Sequence, residues 1–232
     1  MTLNIGILMF PKVQQLDLTG PFDVFATAPG VTVHLVWKAL EPVMSSTGLL
    51  MMPTRTFQSC PPLDVICVPG GVGIDALMED AETLDFLNYQ AKHARYVTSV
   101  CTGALVLGAA GLLKGRRATT HWASHDLLES FGAIPIKERV VRDGNLMTGG
   151  GVTAGIDFAL TLLGELFGEE KAQLVQLQLE YAPAPPFDSG RPDTASAEVL
   201  ATASERAAPG LAARRQIVER VVASQVESPV TA

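Results

Sequence analysis

A cysteine stands where a strand-like segment turns into a helix-like one. Residues 96–113 read YVTSVCTGALVLGAAGLL: a β-branched run precedes Cys101, and a run rich in Gly, Ala and Leu follows it. A side chain at such a turn is presented above the sheet, beside the free N–H groups of the helix. These groups and the helix dipole stabilise an anion. The sequence therefore predicts a reactive Cys101 thiol with a pKa lowered to about 3.5–7.5.

The other cysteines have ordinary surroundings. Cys67 lies inside the hydrophobic run 64–68, and Cys60 precedes two prolines in an apparent loop. Because free cysteine is among the most buried residue types, we interpret Cys67 as a packing residue and give Cys60 no role. Three cysteines without a close pairing pattern indicate a reducing compartment with neither a disulfide framework nor a zinc knuckle.

Glycines follow two further strand-like segments. Gly70 and Gly71 come after the run 65–68, where their N–H groups could serve as anion donors. The string GVGIDA from Gly71 lacks the third glycine of a dinucleotide-binding fingerprint. The run 149–151, with Gly150 at its centre, either lets backbone pass close to an active pocket or ends a hairpin that requires positive φ.

The THW segment at 120–122 is open to two interpretations. His121 is either a hydrogen-bonded structural histidine or a side chain that approaches Cys101, and Trp122 and Tyr181 are core aromatics or pocket walls. His121 and His125 have the i, i+4 spacing of metal ligands on a helix. No glutamate follows His121 and no third ligand is evident, so we expect neither a metal nor an organic cofactor.

The surrounding pattern predicts the elements that position these residues. Apolar strands alternating with helices indicate a mainly parallel sheet covered on both faces, in which ligands bind beyond the carboxyl ends of the strands. Strands are predicted at 3–10, 31–37, 64–68 and 96–100, a β excursion at 42–57, and a hairpin of 139–141 with 145–147 through Asp143-Gly144. Helices are predicted from Asp17 (with Thr19 as a cap and Pro21 in the first turn), at 74–94, after Cys101, and at 122–131, 154–180 and 196–226. We assign 1–192 to an α/β domain and 193–232 to a helical extension that packs on the domain or on a dimer partner.

Composition limits the classes of partner. The 232 residues are 47% hydrophobic and carry a net charge of −7, and the pI is near 5.1. This balance argues against a nucleic-acid or anionic-membrane surface. The N-terminus lacks the basic start of a signal peptide, and no apolar run reaches the roughly 18–20 residues of a membrane span. A cytoplasmic location is expected.

Several motifs carry a family resemblance. VICVPGG from Val65 and SVCTGALVLGAAGLLKGRRATTHW from Ser99 resemble the ThiJ/PfpI superfamily, which has the class I glutamine amidotransferase-like fold. VQQLDLTGPFDVF from Val13, VVRDGNLMTGGGVTAGIDFAL from Val140 and VQLQLEYAPAPPF from Val175 are similar to the isocyanide hydratase family within it. The resemblance implies a single-domain, three-layer, flavodoxin-like α/β sandwich with a nucleophile elbow.

The resemblance also assigns roles. It makes Cys101 the nucleophile and Asp17 its acidic partner, although Asp17 by itself reads as an ordinary loop acid. A carboxyl beside a thiolate cannot easily ionise as well, so the pair should hold one proton between them. Many superfamily peptidases place a histidine directly after the cysteine, where this chain has Thr102. Substrate-binding roles fall on Gly70, Gly71, Gly150, His121 and Trp122, and Thr102 joins the catalytic residues.

The implied reaction is the hydration of an isocyanide to an N-substituted formamide through a covalent cysteine thioimidate, in a homodimer without a cofactor. One alternative is another cysteine-dependent hydrolase, amidase or glyoxal hydratase of the superfamily. A second is the sensor domain of an AraC-type regulator, which shares the CTGA and RRATTHW patterns and continues into a DNA-binding domain. Fewer than fifty residues follow Pro185, and the chain is acidic, which disfavours the regulator.

Overall fold

The computed structural model describes residues 2–227, which form eleven strands and eight α-helices. The strands are β1 (Leu3–Leu8), β2 (Val31–Trp37), β3 (Val43–Met44), β4 (Leu50–Met51), β5 (Arg55–Thr56), β6 (Val65–Val68), β7 (Tyr96–Val100), β8 (Arg117–Ala118), β9 (Ile134–Pro135), β10 (Val140–Asp143) and β11 (Leu146–Gly149). The helices are α1 (Gln15–Thr27), α2 (Ile74–Leu77), α3 (Ala81–Ala91), α4 (Gly103–Ala109), α5 (Leu127–Ser130), α6 (Ala154–Phe167), α7 (Glu169–Gln178) and α8 (Ala197–Glu227), with a 3-10 turn at Trp122–Ser124.

Seven strands form the central sheet in the order β10-β11-β7-β6-β1-β2-β5. Every neighbouring pair is parallel except β10 with β11. The chain runs outward from β1 to β2 and then returns to place β6 on the other side of β1. Such a reversal opens a crevice at the carboxyl edge of the sheet, where α/β proteins bind ligands.

Helices cover the sheet in two layers. Helix α1 packs with α6 and α7, whereas α4 packs with α3, α5 and α8. Phe25 of α1 meets Phe158 of α6 edge to face, with ring centroids 6.1 Å apart, and both rings are fully buried. The central strands β1, β6, β7 and β11 are mostly buried, as parallel strands covered on both faces must be, whereas β2, β5 and β10 toward the edges are partly exposed. The predicted fold class, a three-layer α/β sandwich with a mainly parallel sheet, is confirmed.

Three predicted helices were too long or began too late. The helix predicted at 74–94 is broken because Asp80 is extended and pairs with Lys38, 2.6 Å away on a distant segment. The helix predicted at 154–180 ends at Gly168, whose φ of +91° only glycine adopts readily. Helix α1 begins at Gln15, because the N–H of Gln14 donates to Gly70 at 2.8 Å. The predicted cap Thr19 therefore lies inside the helix.

Smaller corrections concern loops. The segment predicted as one helix at 122–131 is a 3-10 turn followed by α5, although Gly132 closes it with φ of +70°. The hairpin of β10 and β11 is present, but its register pairs Asp143 with Leu146, so Gly144 and Asn145 form the turn. The parallel pairing of β8 with β9 was not foreseen, because strands of two residues carry no periodic signal.

The last helix, α8, lies on the body of its own chain. Val218 and Val221 are buried, and the Gln225 side-chain amide donates to Ala109 at 2.7 Å and Gly108 at 3.2 Å. These carbonyls belong to the end of α4, and that of Gly108 also accepts from the Gly111 N–H at 2.9 Å. The division of the chain at residue 192 stays a prediction, and 228–232 lie outside the described residues. Between residues 2 and 227, no helix is long and apolar enough to cross a membrane.

Candidate active site

Cys101 occupies a strained turn between β7 and α4. Its φ of +55° is unusual for a residue with a side chain. The backbone around it holds this conformation: the Cys101 N–H donates to the Gly150 carbonyl at 2.8 Å, and the Thr120 hydroxyl donates to the Cys101 carbonyl at 2.8 Å. Gly103 is required next to it, because an added Cβ would lie 2.0 Å from the Val68 carbonyl oxygen. The turn is the nucleophile elbow that the sequence indicated.

Asp17 reaches the same place from the first turn of α1. It is fully buried, and its Oδ2 accepts a hydrogen bond from the Gly70 N–H at 2.9 Å. Its Oδ1 is also buried and has no hydrogen-bond partner among residues 2–227. Strands β1 and β6, which precede Asp17 and Gly70, are neighbours in the sheet. A carboxyl that reads as a loop acid in the sequence therefore lies beside Cys101.

Burial governs the titration of this pair. Burial raises the pKa of Asp17 to about 7, although hydrogen bonds from Gly70 and from the Cys101 thiol oppose the rise. Burial also raises the pKa of the Cys101 thiol above its usual value. The charge of Asp17 adds to this rise, and the N–H of Thr102 opposes it. The prediction of a lowered Cys101 pKa is therefore wrong, because the thiol is only 5% exposed and desolvation outweighs the helix terminus.

Thr102, Gly70 and Gly71 form one interlocked unit beside the pair. The Gly71 N–H donates to Thr102 Oγ1 at 3.1 Å, and the Gly70 N–H is engaged by Asp17. A Cβ at Gly70 would lie 2.6 Å from Thr102 N and 2.8 Å from Asp17 Oδ2. These two glycine N–H groups thus hold the side chains of Asp17 and Thr102, whereas the sequence suggested that they serve as donors to an anion.

The glycine run after β11 forms the other wall. The carbonyls of Gly149 and Gly150 both accept from the Cys101 N–H, and the Gly150 N–H donates to the Arg139 carbonyl at 2.9 Å. Arg139 in turn binds Asp157 and Thr153, and the Tyr181 hydroxyl donates to Asp157 at 3.0 Å. Tyr181 is thereby neither a core aromatic nor a part of the Cys101 turn. It belongs to a polar network behind Gly150.

His121 lies next to the elbow, and Trp122 lies farther out. A Cβ on Gly151 would be 3.7 Å from His121 Cδ2, which places the imidazole against the glycine run. Burial, followed by the charge of Arg214, lowers the pKa of His121. Trp122 is 37% exposed and borders a surface depression with His125 and Asp126 that does not include Cys101. Its assignment to substrate binding rests on the sequence resemblance.

Sequence reasoning missed Thr120, Arg139, Asp157 and Arg214 as neighbours of the site. Thr120 stood inside the quoted THW motif, so its position was available as a signal. The three charged residues gave no such signal, because their partners are far away in the chain.

Among residues 2–227 no cluster of three or more His, Cys, Asp or Glu side chains is arranged to hold a metal. A surface cavity of about 660 Å³ lies at the opposite, amino edge of the sheet, between Leu3 and Phe167.

Comparisons with known proteins agree with this geometry. A family model described as the DJ-1/PfpI family matches residues 4–165. Isonitrile hydratase of Pseudomonas putida is 70% identical over 223 residues, which cover 96% of this chain and 98% of that protein. The crystal structure of a ThiJ/PfpI family protein from Pseudomonas syringae superposes with a TM-score of 0.92 at 44% identity, covering 94% of this chain and 91% of that one.

A regulator is also similar over part of its length. The HTH-type transcriptional regulator GbdR of Pseudomonas aeruginosa is 33% identical over 186 residues, which are 77% of this chain but 50% of that protein. The similarity thus extends over only half of that regulator. With the family model spanning the sheet from β1 into α6, the chain belongs to the DJ-1/PfpI family.

Proposed function

We propose that this protein is a cofactor-independent enzyme that hydrates isocyanides to N-substituted formamides, with Cys101 as nucleophile. The observation that carries the proposal is the buried pairing of Cys101 with Asp17, whose pKa of about 7 suits proton transfer at neutral pH. Near-full-length similarity to an isonitrile hydratase supports the same reaction. The pairing supplies the two groups that an isocyanide carbon needs, a soft nucleophile and a proton.

The first step adds the thiol across the terminal carbon. Because the pKa of Cys101 is raised, the shared proton resides mainly on sulfur and Asp17 is the carboxylate. As the S–C bond forms, Asp17 takes the thiol proton and passes it to the same carbon of R–N≡C. The product is the thioimidate R–N=CH–S–Cys, and Asp17 is again a carboxylate. The elbow holds the sulfur above the sheet for this attack.

The second step hydrates the thioimidate. Asp17 takes a proton from water as the oxygen adds to the carbon, and returns it to nitrogen. The resulting R–NH–CH(OH)–S–Cys collapses when the hydroxyl proton leaves through Asp17 to sulfur and the C–S bond breaks. R–NH–CHO and the free thiol are released, so one water is consumed per turnover. The Thr102 hydroxyl would hold the polar atoms of these intermediates, while the N–H groups of Gly70 and Gly71 keep Asp17 and Thr102 in place.

Two rival functions are less well supported. Many superfamily peptidases and amidases place a histidine next to, or close to, the cysteine, and this chain has Thr102 at the adjacent position. The AraC-type regulator remains the weaker candidate, since the similarity to such a protein spans only half of it. The similarity to isonitrile hydratase spans almost all of that enzyme.

We also propose a cytoplasmic homodimer that binds neither nucleic acid nor membrane. The net charge of −7 supports the lack of affinity for polyanions. Several large apolar side chains are exposed along β3 and β4, among them Met44 at 56% and Leu50 at 60%. Side chains of this kind suit an interface between two copies of the chain.

The test is direct. The purified protein is mixed with an alkyl and an aryl isocyanide, and the N-substituted formamide is measured by chromatography against time. Cys101→Ala should abolish turnover while the circular dichroism spectrum stays unchanged, and Cys60→Ala, at a half-buried cysteine outside the site, serves as the thiol control. If the parent protein forms no formamide from either compound while Cys101 remains reactive, isocyanide hydration is the wrong reaction for this site.

A further inference from the structure

An arginine of the C-terminal helix reaches the active-site end of the domain. Arg214 of α8 binds Asp75, with Nε 2.6 Å from Oδ1, and its Nη1 donates to the Ser124 hydroxyl at 3.1 Å. The Arg214 side chain is only 13% exposed. Because a guanidinium presents its donors in a rigid plane, two such partners fix its orientation.

The two partners lie on segments that lead to the site. Asp75 belongs to α2, which follows directly on Gly70 and Gly71. Ser124 ends the 3-10 turn whose first cap is His121, and the Ser124 N–H donates to the His121 carbonyl at 2.9 Å. Arg214 therefore ties the wall that holds Asp17 and Thr102 to the wall that carries His121.

The local bonds define the state of the His121 ring. The Ala123 N–H donates to His121 Nδ1 at 3.3 Å, so Nδ1 is an acceptor and a neutral ring carries its proton on Nε2. Burial and the charge of Arg214 both favour the neutral ring by lowering the pKa of His121. The free group of His121 is thus the Nε2–H, which is a donor.

This ring lies beside the backbone of the nucleophile. The residue before it, Thr120, donates to the Cys101 carbonyl at 2.8 Å. The Cδ2 atom of His121, which adjoins Nε2 in the ring, is the atom nearest to a Cβ placed on Gly151. The neighbouring Gly150 accepts the Cys101 N–H. His121 therefore follows a residue that bonds Cys101, and its ring lies against the glycine run that accepts the Cys101 N–H.

We propose that Arg214 is a positioning residue of the active site: it fixes the segment that carries His121 and keeps the Nε2–H of that ring beside Cys101 as a hydrogen-bond donor. The acceptor of this hydrogen bond is the thioimidate nitrogen, and this assignment rests on the proposed function. His121 then contributes by donating, and proton abstraction stays with Asp17. The C-terminal extension, on this proposal, completes the active site.

The other charged groups around His121 are accounted for. Asp75 is held by Arg214 and offsets part of its charge, and Arg215 of the same helix pairs with Asp126 at 2.6 Å on the surface. His125 is bound through Nε2 to the Ile136 carbonyl at 3.1 Å. Burial and the charge of Arg214 lower the pKa of His121, so removing Arg214 separates the effect of its charge from the effect of burial.

The experiment compares Arg214→Met and Arg214→Lys with Arg215→Met in the full chain. The control removes a neighbouring ion pair on the same helix that ends on Asp126 and bonds neither Ser124 nor Asp75. The first readout is the ¹⁵N NMR spectrum of the His121 ring, titrated with pH. The second is kcat/KM for a simple isocyanide, with the unfolding midpoint measured for every variant.

We expect Arg214→Met to lower kcat/KM by about tenfold or more, since small displacements of an active-site wall have effects of this size. The His121 pKa should rise and its Nε2–H tautomer should lose dominance, whereas Arg214→Lys, which keeps the charge, should restore part of both. Arg215→Met should change neither. Ser124→Ala, which removes a single hydroxyl, is measured in the same way should the methionine variant fail to fold.

An unchanged His121 spectrum in Arg214→Met, or an equal loss in Arg215→Met, overturns the proposal. The NMR readout needs no substrate. If the parent protein forms no formamide, the proposed function fails, while the shift of the His121 signals still decides the role of Arg214.

Discussion

At the residue scale, the chemistry depends on where one proton resides between Asp17 and Cys101. Burial raises the pKa of both groups, so neither is fully ionised without the other responding. A thiol with a raised pKa is a poor nucleophile by itself. On the proposed mechanism, the nearby carboxyl compensates by removing the proton as the sulfur attacks.

The first prediction concerns Asp17→Asn. An amide still accepts the Gly70 N–H but cannot relay a proton, so we expect turnover to fall about 10²–10⁴-fold. Asp17→Glu keeps the carboxyl one methylene away and should retain more activity than Asn. Initial rates of formamide production measure both, with the exposed Asp23→Asn on the same helix as control. An Asn variant that works at close to the parent rate would falsify the relay.

The second prediction is the pH profile. The mechanism needs the Asp17 carboxylate, so kcat/KM for a neutral isocyanide should rise with pH through about 7. Because the pKa of Cys101 is raised, the activity should then stay level well into the alkaline range. The rise of kcat/KM near pH 7 should persist in His121→Gln, whereas its midpoint should move to another pH in Asp17→Glu. A rate that falls as pH rises through 7 contradicts the assignment of Asp17 as base.

At the scale of the elements, the site depends on four strand ends that meet at one edge of the sheet. Strands β1, β6, β7 and β11 are consecutive neighbours, and they lead to Asp17, Gly70, Cys101 and Gly150 respectively. The segments approach so closely that only glycine fits between some of them. Gly70 lies between two of the candidate site residues, because only the space of one missing Cβ separates Thr102 from Asp17 there.

The third prediction is therefore that Gly70→Ala lowers activity about 10²-fold, because displaced reacting groups lose alignment. Overpacking should also cost about 1–3 kcal/mol of stability. Gly164→Ala is the matched control: a Cβ there meets nothing within 4 Å, and it lies inside helix α6. That variant should keep full activity and gain about 1 kcal/mol. Urea unfolding measures the stability of both variants, and formamide assays measure their activity. A Gly70→Ala protein that is as active and as stable as the parent would contradict the close packing of the site.

At the scale of the whole molecule, function costs stability. The folded protein raises the pKa of Asp17 from 3.8 to about 7, so it binds one proton more tightly than the unfolded chain does. For a group with a raised pKa, this stabilisation is complete below pH 4 and is lost as pH rises toward 7. Above pH 7 the buried carboxylate destabilises the folded state.

The fourth prediction follows from this loss of stability as pH rises. Asp17→Asn should be more stable than the parent at pH 8, by about 2 kcal/mol or more, since one pKa unit is worth about 1.4 kcal/mol. The advantage should shrink as pH falls toward 4. Urea unfolding at pH 4.5, 6 and 8 measures it, with Asp23→Asn as reference. A stability difference that is the same at all three pH values rules out the raised Asp17 pKa as its cause.

The fifth prediction concerns assembly. If the exposed apolar side chains on β3 and β4 are covered by a second copy, light scattering should give twice the 24.6 kDa mass of one chain. Leu50→Lys should shift that mass toward a monomer, whereas Leu177→Lys, an exposed leucine on α7, should not. A monomer at micromolar concentration in the parent protein contradicts the homodimer.

The sequence by itself determined much of this protein. Hydrophobic runs bounded by Gly and Pro placed the core strands, and the strand-to-helix turn singled out Cys101 among three cysteines, because both signals are local. The family motifs added Asp17 and Thr102. Helix ends were less well determined: Gly168 gave a local stop signal, but the break at Asp80 depends on Lys38, more than forty residues earlier.

The tertiary structure alone decided the electrostatics and the supporting contacts. Local sequence indicates a helix N-terminus and hence a low thiol pKa, but burial is set by every element packed around Cys101, and desolvation reverses the sign. Arg214 gives no signal in the sequence, because Asp75 lies 139 residues away and the ion pair exists only once α8 has docked. Position along the chain thus reveals which groups can react, while their proton affinity and alignment are properties of the folded whole.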